Sequence, residues 1–174
     1  HFPQSVSSAP GDLDLTFSQD GKLYDFLRLG GGDVIKGTAI QSDGKIVATG
    51  SFSFGNVGSC AVTRYNADGT LDSTFDGDGK VHFPTGLRFV CNAVAIQPDG
   101  KIVTAGRIGN LSNDDFAVLR LNPDGSRDAS FDSDGFVVVS IGPFVDEATA
   151  VAIQPDGKIV VGGSSSSGSD DRPT

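Results

Sequence analysis

One nine-residue segment occurs three times in the chain, and this repetition constrains the fold more than any other feature. The copies occupy residues 39–47, 95–103 and 152–160, and their starts lie 56 and 57 residues apart. A second signature, in which Asp is followed by Phe three residues later and then by Asp-Gly, keeps nearly the same spacing at residues 14–21, 72–79 and 128–135, whose starts lie 58 and 56 residues apart. A fixed period of this length indicates a repeat array.

Each repeat unit predicts four short strands. In the second unit we expect them at about 90–97, 101–107, 115–121 and 136–141, because these stretches are apolar or alternating and rich in β-branched residues. The Gln-Pro-Asp-Gly-Lys link between the first two strands favours a tight hairpin, since Pro suits a type I turn and Gly accepts a positive φ. A repeat of 56 residues with four antiparallel strands is typical of a β-propeller blade. The expected fold class is therefore all-β.

The composition supports this fold and excludes two classes of function. Of the 22 acidic residues, Glu147 is the only Glu, and Asp favours turns whereas Glu favours helix interiors. A net charge of −9 without any Lys/Arg cluster repels phosphate backbones, so we expect no nucleic-acid binding. No apolar run approaches the roughly 18 residues of a membrane-spanning helix, so we expect no membrane span.

The two repeated signatures resemble those of the delta-60 repeat proteins, a bacterial family that is mostly predicted to be exported. Units of that family carry an A-I-Q-P-D-G-K-I-V-V-G hairpin, matched here by residues 152–162, and an R-Y-N-x-D-G-x-L-D-x-x-F segment, matched by residues 64–75. The resemblance covers about residues 11–163. It implies a β-propeller, and it brings no catalytic residue, cofactor or established substrate.

The repeats also predict how the chain is divided. The expected parts are an N-terminal extension (1–11), the repeats (12–163, in units of about 12–70, 71–126 and 127–163) and a Ser/Gly/Asp tail (164–174). The absence of Met and the start at His1 are typical of a processed, secreted N-terminus. We therefore expect an extracellular or cell-surface location.

The order of the predicted strands leaves one sheet edge open. An orphan fourth strand at about 22–29 precedes two complete units, and residues of about 147–163 supply only the first two strands of a third unit. Propellers close with about four to eight blades, and natural proteins rarely leave an edge uncovered. We therefore expect a homo-oligomer or polymer joined through open blade edges, with truncation of a longer propeller as the alternative.

Candidate catalytic residues are few. The histidines are His1, which is terminal, and His82, which we expect at an exposed position of a strand. Neither belongs to a recognisable catalytic motif. We therefore expect no enzyme, with a propeller hydrolase or lyase fragment as an alternative.

Four aspartates are the candidate ligands of a metal ion. Asp76 and Asp78 lie in one Asp-x-Asp-Gly segment, and Asp132 and Asp134 lie in the next. Hard cations such as calcium bind several oxygen atoms that a folded-back loop supplies. The alternative interpretation uses the same residues in Asx turns and β-bulges without a metal.

The two cysteines allow two interpretations. Cys60 lies in a third strand and Cys91 opens the first strand of the next unit. Because the two positions differ in depth within neighbouring blades, we expect small, buried, separate thiols. A disulfide is the alternative, since export would permit one.

Charged residues that recur in every unit are most simply structural. We expect Arg64 to pair with Asp72, and Arg120 with Asp128, inside their blades. Function is expected where the units differ at exposed positions, namely at Arg88, Phe89, Arg107, Phe52 to Phe54, Phe144 and Glu147. Of these, we expect Phe52 and Phe54 to pack between blades rather than to form a stacking platform for sugars. The expected function is a non-catalytic, exported scaffold for binding or structural assembly at the bacterial cell surface, with a glycan or protein as ligand. A carbohydrate- or calcium-binding adhesive module is the alternative.

Overall fold

The chain folds into antiparallel β-strands throughout the part that can be described. The computed structural model describes residues 12–22, 33–54, 57–83, 86–110 and 113–166. The strands are β1 (Val34–Ile40), β2 (Ile46–Phe54), β3 (Val57–Tyr65), β4 (Lys80–Phe83), β5 (Arg88–Ile96), β6 (Ile102–Asn110), β7 (Asn113–Leu121), β8 (Phe136–Val139), β9 (Asp146–Ile153) and β10 (Ile159–Ser165). These residues contain no helix, and hence none able to cross a membrane. The predicted all-β class is confirmed.

The strands form three sheets in chain order. The first sheet contains β1 to β4, the second contains β5 to β8, and β9 pairs with β10. Every pair of neighbouring strands is antiparallel. The second sheet confirms the strands predicted for that unit, with ends that differ by at most three residues. Each four-stranded sheet is one blade, and the described residues do not close a ring.

The predicted orphan strand at about 22–29 lies outside the described residues, apart from Lys22. Within the described residues, β9 is the only sheet neighbour of β10. The homo-oligomer or polymer expected from an open edge stays a prediction. Ser164 and Ser165, the first two residues of the predicted tail, belong to β10.

Hydrophobic side chains between the sheets form the core. One buried cluster joins the first two blades and includes Val62, Phe75, Phe89 and Leu119. A second cluster lies between the second blade and the last sheet, where Ala148 meets side chains of β6 and β7. Burial of apolar surface between successive sheets therefore stacks the blades face to face.

A disulfide bond crosses the junction between the first two blades. The sulfur atoms of Cys60 and Cys91 are bonded, with their Cα atoms 5.2 Å apart. The expectation of two separate thiols is therefore wrong, although both residues are fully buried as predicted. The two positions come together because β5 packs across the face of β3. This packing lies between blades, so the strand order within one blade does not predict it.

A glycine in the second strand of each blade faces a bulge in the first strand. At Gly106 an added Cβ would lie 1.8 Å from the carbonyl oxygen of Val90. The same close approach of backbone to backbone occurs at Gly50 and Gly163. The pairing register shifts near each of these glycines. Only a residue without a side chain fits these positions, which explains one recurring feature of the sequence.

Replacing Gly106 by Ala should destabilise the protein by about 3 kcal/mol, because the new methyl group must displace backbone. Gly162→Ala is the matched control, since no atom lies within 4 Å of an added Cβ there. We expect the control to change the free energy of unfolding by less than about 0.5 kcal/mol. Urea denaturation measures both. Equal stabilities of the two variants would contradict the bulge assignment.

Removing the disulfide should destabilise the protein by about 2–4 kcal/mol, because the bond closes a loop whose entropy the unfolded chain would otherwise keep. The bonded residues are 31 apart in sequence. The variant is Cys60→Ala with Cys91→Ala, measured by urea denaturation. A reductant should lower the midpoint of the parent protein and leave that of the variant unchanged. A parent protein insensitive to reductant would show that the bond is absent.

Candidate functional site

The charged residues that recur between units form ion pairs inside each blade. Arg64 Nε lies 2.7 Å from Asp72 Oδ2, and the two side chains are only 6% and 4% exposed. The second blade repeats the contact between Arg120 Nε and Asp128 Oδ2, also at 2.7 Å. These distances confirm the predicted intra-blade ion pairs.

Each arginine also lies over the Phe of its own loop. The guanidinium carbon of Arg64 is 4.7 Å from the ring centre of Phe75, and that of Arg120 is 4.6 Å from the ring centre of Phe131. A guanidinium over an aromatic face is attracted by the electron-rich ring. The third strand of the blade is thereby joined to the loop that follows it.

The aspartates of these ion pairs are held in the ionised form. Burial alone would raise the pKa of Asp72, but hydrogen bonds from Thr74 and Lys45 and the charge of Arg64 hold that pKa well below its ordinary value. A hydrogen bond from the Ser130 hydroxyl is the main reason why the pKa of Asp128 is lowered to about 2. Both carboxylates therefore stay charged well into the acidic range.

The same loops connect each unit to the next. The backbone N–H of Asp76 donates to the carbonyl oxygen of Asp124 at 2.8 Å, and that of Ser18 donates to the carbonyl oxygen of Asp68 at 2.9 Å. Arg64 also donates a hydrogen bond to the carbonyl oxygen of Pro123 in the following unit. The recurring residues are thus engaged in holding the blades together.

The four candidate calcium ligands lie in these loops, two in each. Asp78 Oδ1 accepts from the backbone N–H of Lys80, and Asp134 Oδ1 accepts the equivalent bond from Phe136, both at 2.9 Å. Asp76 and Asp132 adopt positive φ angles of 50° and 48°. Across the described ranges, no group of three or more His, Cys, Asp or Glu is arranged to hold a metal. Calcium binding therefore stays a prediction.

His82 is half-buried, so its predicted exposed position is wrong. Its ring packs edge-to-face against Phe52, with ring centres 5.0 Å apart. Burial lowers the pKa of His82 from its ordinary value. The aromatic neighbour on the same face of the sheet explains the burial, and sequence alternation alone does not reveal it. His1 lies outside the described residues.

Two of the candidate binding phenylalanines belong to the core. Phe52 is 3% exposed, in agreement with the packing role predicted for it, and Phe89 is 1% exposed, so the expectation that Phe89 lies at the surface is wrong. Phe89 packs against Phe136 with ring centres 5.1 Å apart. Phe144 remains exposed, at 41%. The side chain of Phe54 lies outside the described residues.

The other candidates meet at the junction between the second blade and the last sheet. Here five polar side chains, which we call the polar cluster, converge from β5, β6, β7 and β9: Arg88, Asn92, Arg107, Asp114 and Glu147. Arg88, Arg107 and Glu147 were predicted from the differences between units. The structure brings these three residues together.

The contacts within the polar cluster centre on Asp114, whose side chain is fully buried. Its Oδ2 atom accepts a hydrogen bond from Arg88 and lies 3.4 Å from Arg107 Nε. Arg107 also reaches across the junction, where its Nη1 atom lies 3.4 Å from Glu147 Oε2. Asn92 Nδ2 donates to Glu147 Oε1 at 3.0 Å and to the carbonyl oxygen of Ala148 at 2.8 Å. The two arginines and the two carboxylates therefore give the polar cluster no net charge.

The polar cluster does not recur in the first unit. The equivalent positions are Gly32, Lys36, Ser51 and Gly58 in the first unit and Val90 in the second. Sequence reasoning missed Asn92 and Asp114, because a fully buried aspartate in a strand carries no pattern of its own. Gly58 and Asp114 occupy equivalent positions, and this difference between a small and a charged residue is the signal that could have identified Asp114.

Four-stranded antiparallel blades at a regular period define a β-propeller repeat protein. Residues 41–75, 97–131 and 154–172 match the family model described as "Domain of unknown function (DUF5122) beta-propeller". The chain belongs to this family. The match confirms the predicted β-propeller repeat, under a different family name from the delta-60 repeat. No curated protein matches the chain.

Acid should destabilise the fold through Asp72 and Asp128. Because their pKa values in the folded state lie below the ordinary 3.8, their stabilisation is complete above pH of about 4 and is lost as the pH falls towards 2. The urea midpoint should therefore fall below pH 4, in addition to the decline between pH 7 and 5 that the lowered pKa of His82 produces.

Asp128→Asn tests that assignment. The change should cost about 1–2 kcal/mol at pH 7 by weakening charge-assisted hydrogen bonds, and it should flatten the acid slope. Ser130→Ala removes the main cause of the low pKa while keeping the carboxylate, so the stability lost on acidification should be smaller and the loss should end at a higher pH. Acid slopes identical to that of the parent in both variants would contradict the assignment.

Proposed function

We propose that the chain is a non-catalytic, exported β-propeller scaffold that binds a ligand at or outside a bacterial cell surface through the polar cluster. One observation carries the proposal, namely the division between two kinds of charged residue. Those that recur, such as Arg64 and Asp72, are engaged in holding loops and blades together. Four charged residues that do not recur, Arg88, Arg107, Asp114 and Glu147, gather in one place, with the side chains of Arg88 and Arg107 25% and 23% exposed.

The disulfide supports export. Cys60 and Cys91 are both buried and bonded to each other, and such structural bonds persist in oxidising compartments and are rare in the cytosol. The resemblance of the repeats to delta-60 proteins favours a bacterial, exported protein in the same way.

The geometry of the polar cluster supports binding. It lies across a junction between sheets, where side chains from four strands converge. Such junctions are common ligand sites, because each element contributes one or two positioned polar groups. Three of its five side chains are about one-quarter exposed, so a ligand has access to them.

Retention of the purified, disulfide-bonded protein on whole bacterial cells tests the proposal. The double variant Arg88→Ala, Arg107→Ala should lose at least about tenfold in apparent affinity, which corresponds to about 1.4 kcal/mol. The control is Lys36→Ala, Lys158→Ala, which makes the same change in net charge at exposed lysines. Fluorescent labelling and flow cytometry measure both.

Equal retention of the two double variants would overturn the binding site. Export is tested separately, by trapping free thiols in the native producing cells. We expect the chain outside the cytoplasm without a free thiol. A cytoplasmic chain with two reactive thiols would overturn export.

A further inference from the structure

We infer that the polar cluster binds the hydroxyl groups of a neutral saccharide. This inference rests on the proposed function, because it uses the same site and names the class of its ligand. It comes from atoms within the cluster that have no hydrogen-bond partner, and from whether each of these atoms donates or accepts.

Two of these atoms are acceptors. Both hydrogens of Asn92 Nδ2 are used, on Glu147 and on the carbonyl oxygen of Ala148. This fixes the orientation of the amide and leaves Asn92 Oδ1 buried without a partner. Asp114, whose side chain is 0% exposed, faces both arginines through Oδ2, and its Oδ1 has no hydrogen-bond partner.

Two further atoms are donors. The Nε atoms of Arg88 and Arg107 are buried and make no hydrogen bond. Arg107 Nε lies 3.4 Å from Asp114 Oδ2, which is an ion-pair distance without hydrogen-bond geometry. Leaving a buried polar atom unpaired costs about 1–3 kcal/mol. The polar cluster contains two buried donors and two buried acceptors without a hydrogen-bond partner, and together they point to a missing partner.

The missing partner must donate and accept together. A hydroxyl group does so, since it has one donor hydrogen and two acceptor lone pairs. A simple anion only accepts, so it would leave Asn92 and Asp114 unpaired and would be repelled by the carboxylates. An ammonium ion only donates and would leave the Nε atoms of the two arginines unpaired. The balanced charges of the cluster favour a ligand without net charge, and adjacent hydroxyls on a sugar ring match its mixed donors and acceptors.

The polar cluster is open on one side. The side chains of Arg107 and Glu147 are 23% and 27% exposed, and their closest atoms lie 3.4 Å apart, which is long for a charge-assisted hydrogen bond. A hydroxyl that accepts from Arg107 and donates to Glu147 would replace this long contact with two shorter ones. Asn92 Nδ2 donates to Glu147, and Asp114 Oδ2 lies 3.4 Å from Arg107 Nε, so these two residues hold the pair in place. The ligand therefore meets Arg107 and Glu147 first, and its hydroxyl groups also pair with the unpaired acceptors of Asn92 and Asp114.

Isothermal titration with neutral methyl glycosides tests the inference, after an array of neutral and acidic oligosaccharides has selected the strongest binders. The variants are Arg107→Ala and the nearly isosteric Glu147→Gln, with Lys158→Ala as the control at an exposed cation. We expect at least one neutral saccharide to bind, with at least tenfold weaker binding in each cluster variant and unchanged binding in the control. Circular dichroism and the urea midpoint establish that each variant is folded.

The outcomes separate this inference from the proposed function. In one outcome, retention on cells depends on Arg88 and Arg107 while no neutral saccharide inhibits it. That outcome overturns the inference and leaves the proposed function standing. Binding of acidic or sulfated glycans alone also overturns it. Saccharide binding by the cluster without retention on cells supports the inference and overturns the cell-surface role. Failure of both experiments overturns both.

Discussion

The structure depends on one contact that is repeated from unit to unit, between the loop after the third strand and the turn of the following blade. The loop donates a backbone hydrogen bond to that turn, from Asp76 to Asp124 and from Ser18 to Asp68. Arg64 lies at the centre of the contact, since it pairs with Asp72 in its own blade and donates to Pro123 in the next. A single buried guanidinium therefore joins two blades, and charge-assisted bonds of this kind are about twice as strong as neutral ones.

This contact determines which residues can vary. A side chain that takes part in it must be the same in each unit, because each blade has the same loop to hold. Positions outside it are free to differ, and the charged differences collect where the second blade meets the last sheet, at Arg107 and Glu147. The structural residues and the residues of the proposed binding site thus fall on separate positions of the same repeat, which would permit a ligand site to change without loss of the fold.

The repeat period made much of the fold predictable. It placed the strands of the second unit within three residues of β5 to β8, and it identified the ion pair of Arg64 with Asp72, because both depend on contacts inside one unit. The period does not describe how sheets face one another. The disulfide of Cys60 with Cys91, the burial of His82 and the position of Asp114 all depend on that packing. For the same reason, sequence differences pointed to Arg88, Arg107 and Glu147, whereas the buried members of the polar cluster were missed.

Amide hydrogen exchange tests the contact between blades most directly. The amide hydrogens of Ser18 and Asp76 lie in loops, and only their bonds to the neighbouring turn should protect them. We predict exchange nearly as slow as in β3, with a marked loss of protection at Asp76 in Arg64→Met while the sheets stay protected. Exchange of both amides at the rate of an unstructured peptide, in a protein whose strands remain protected, would contradict the account.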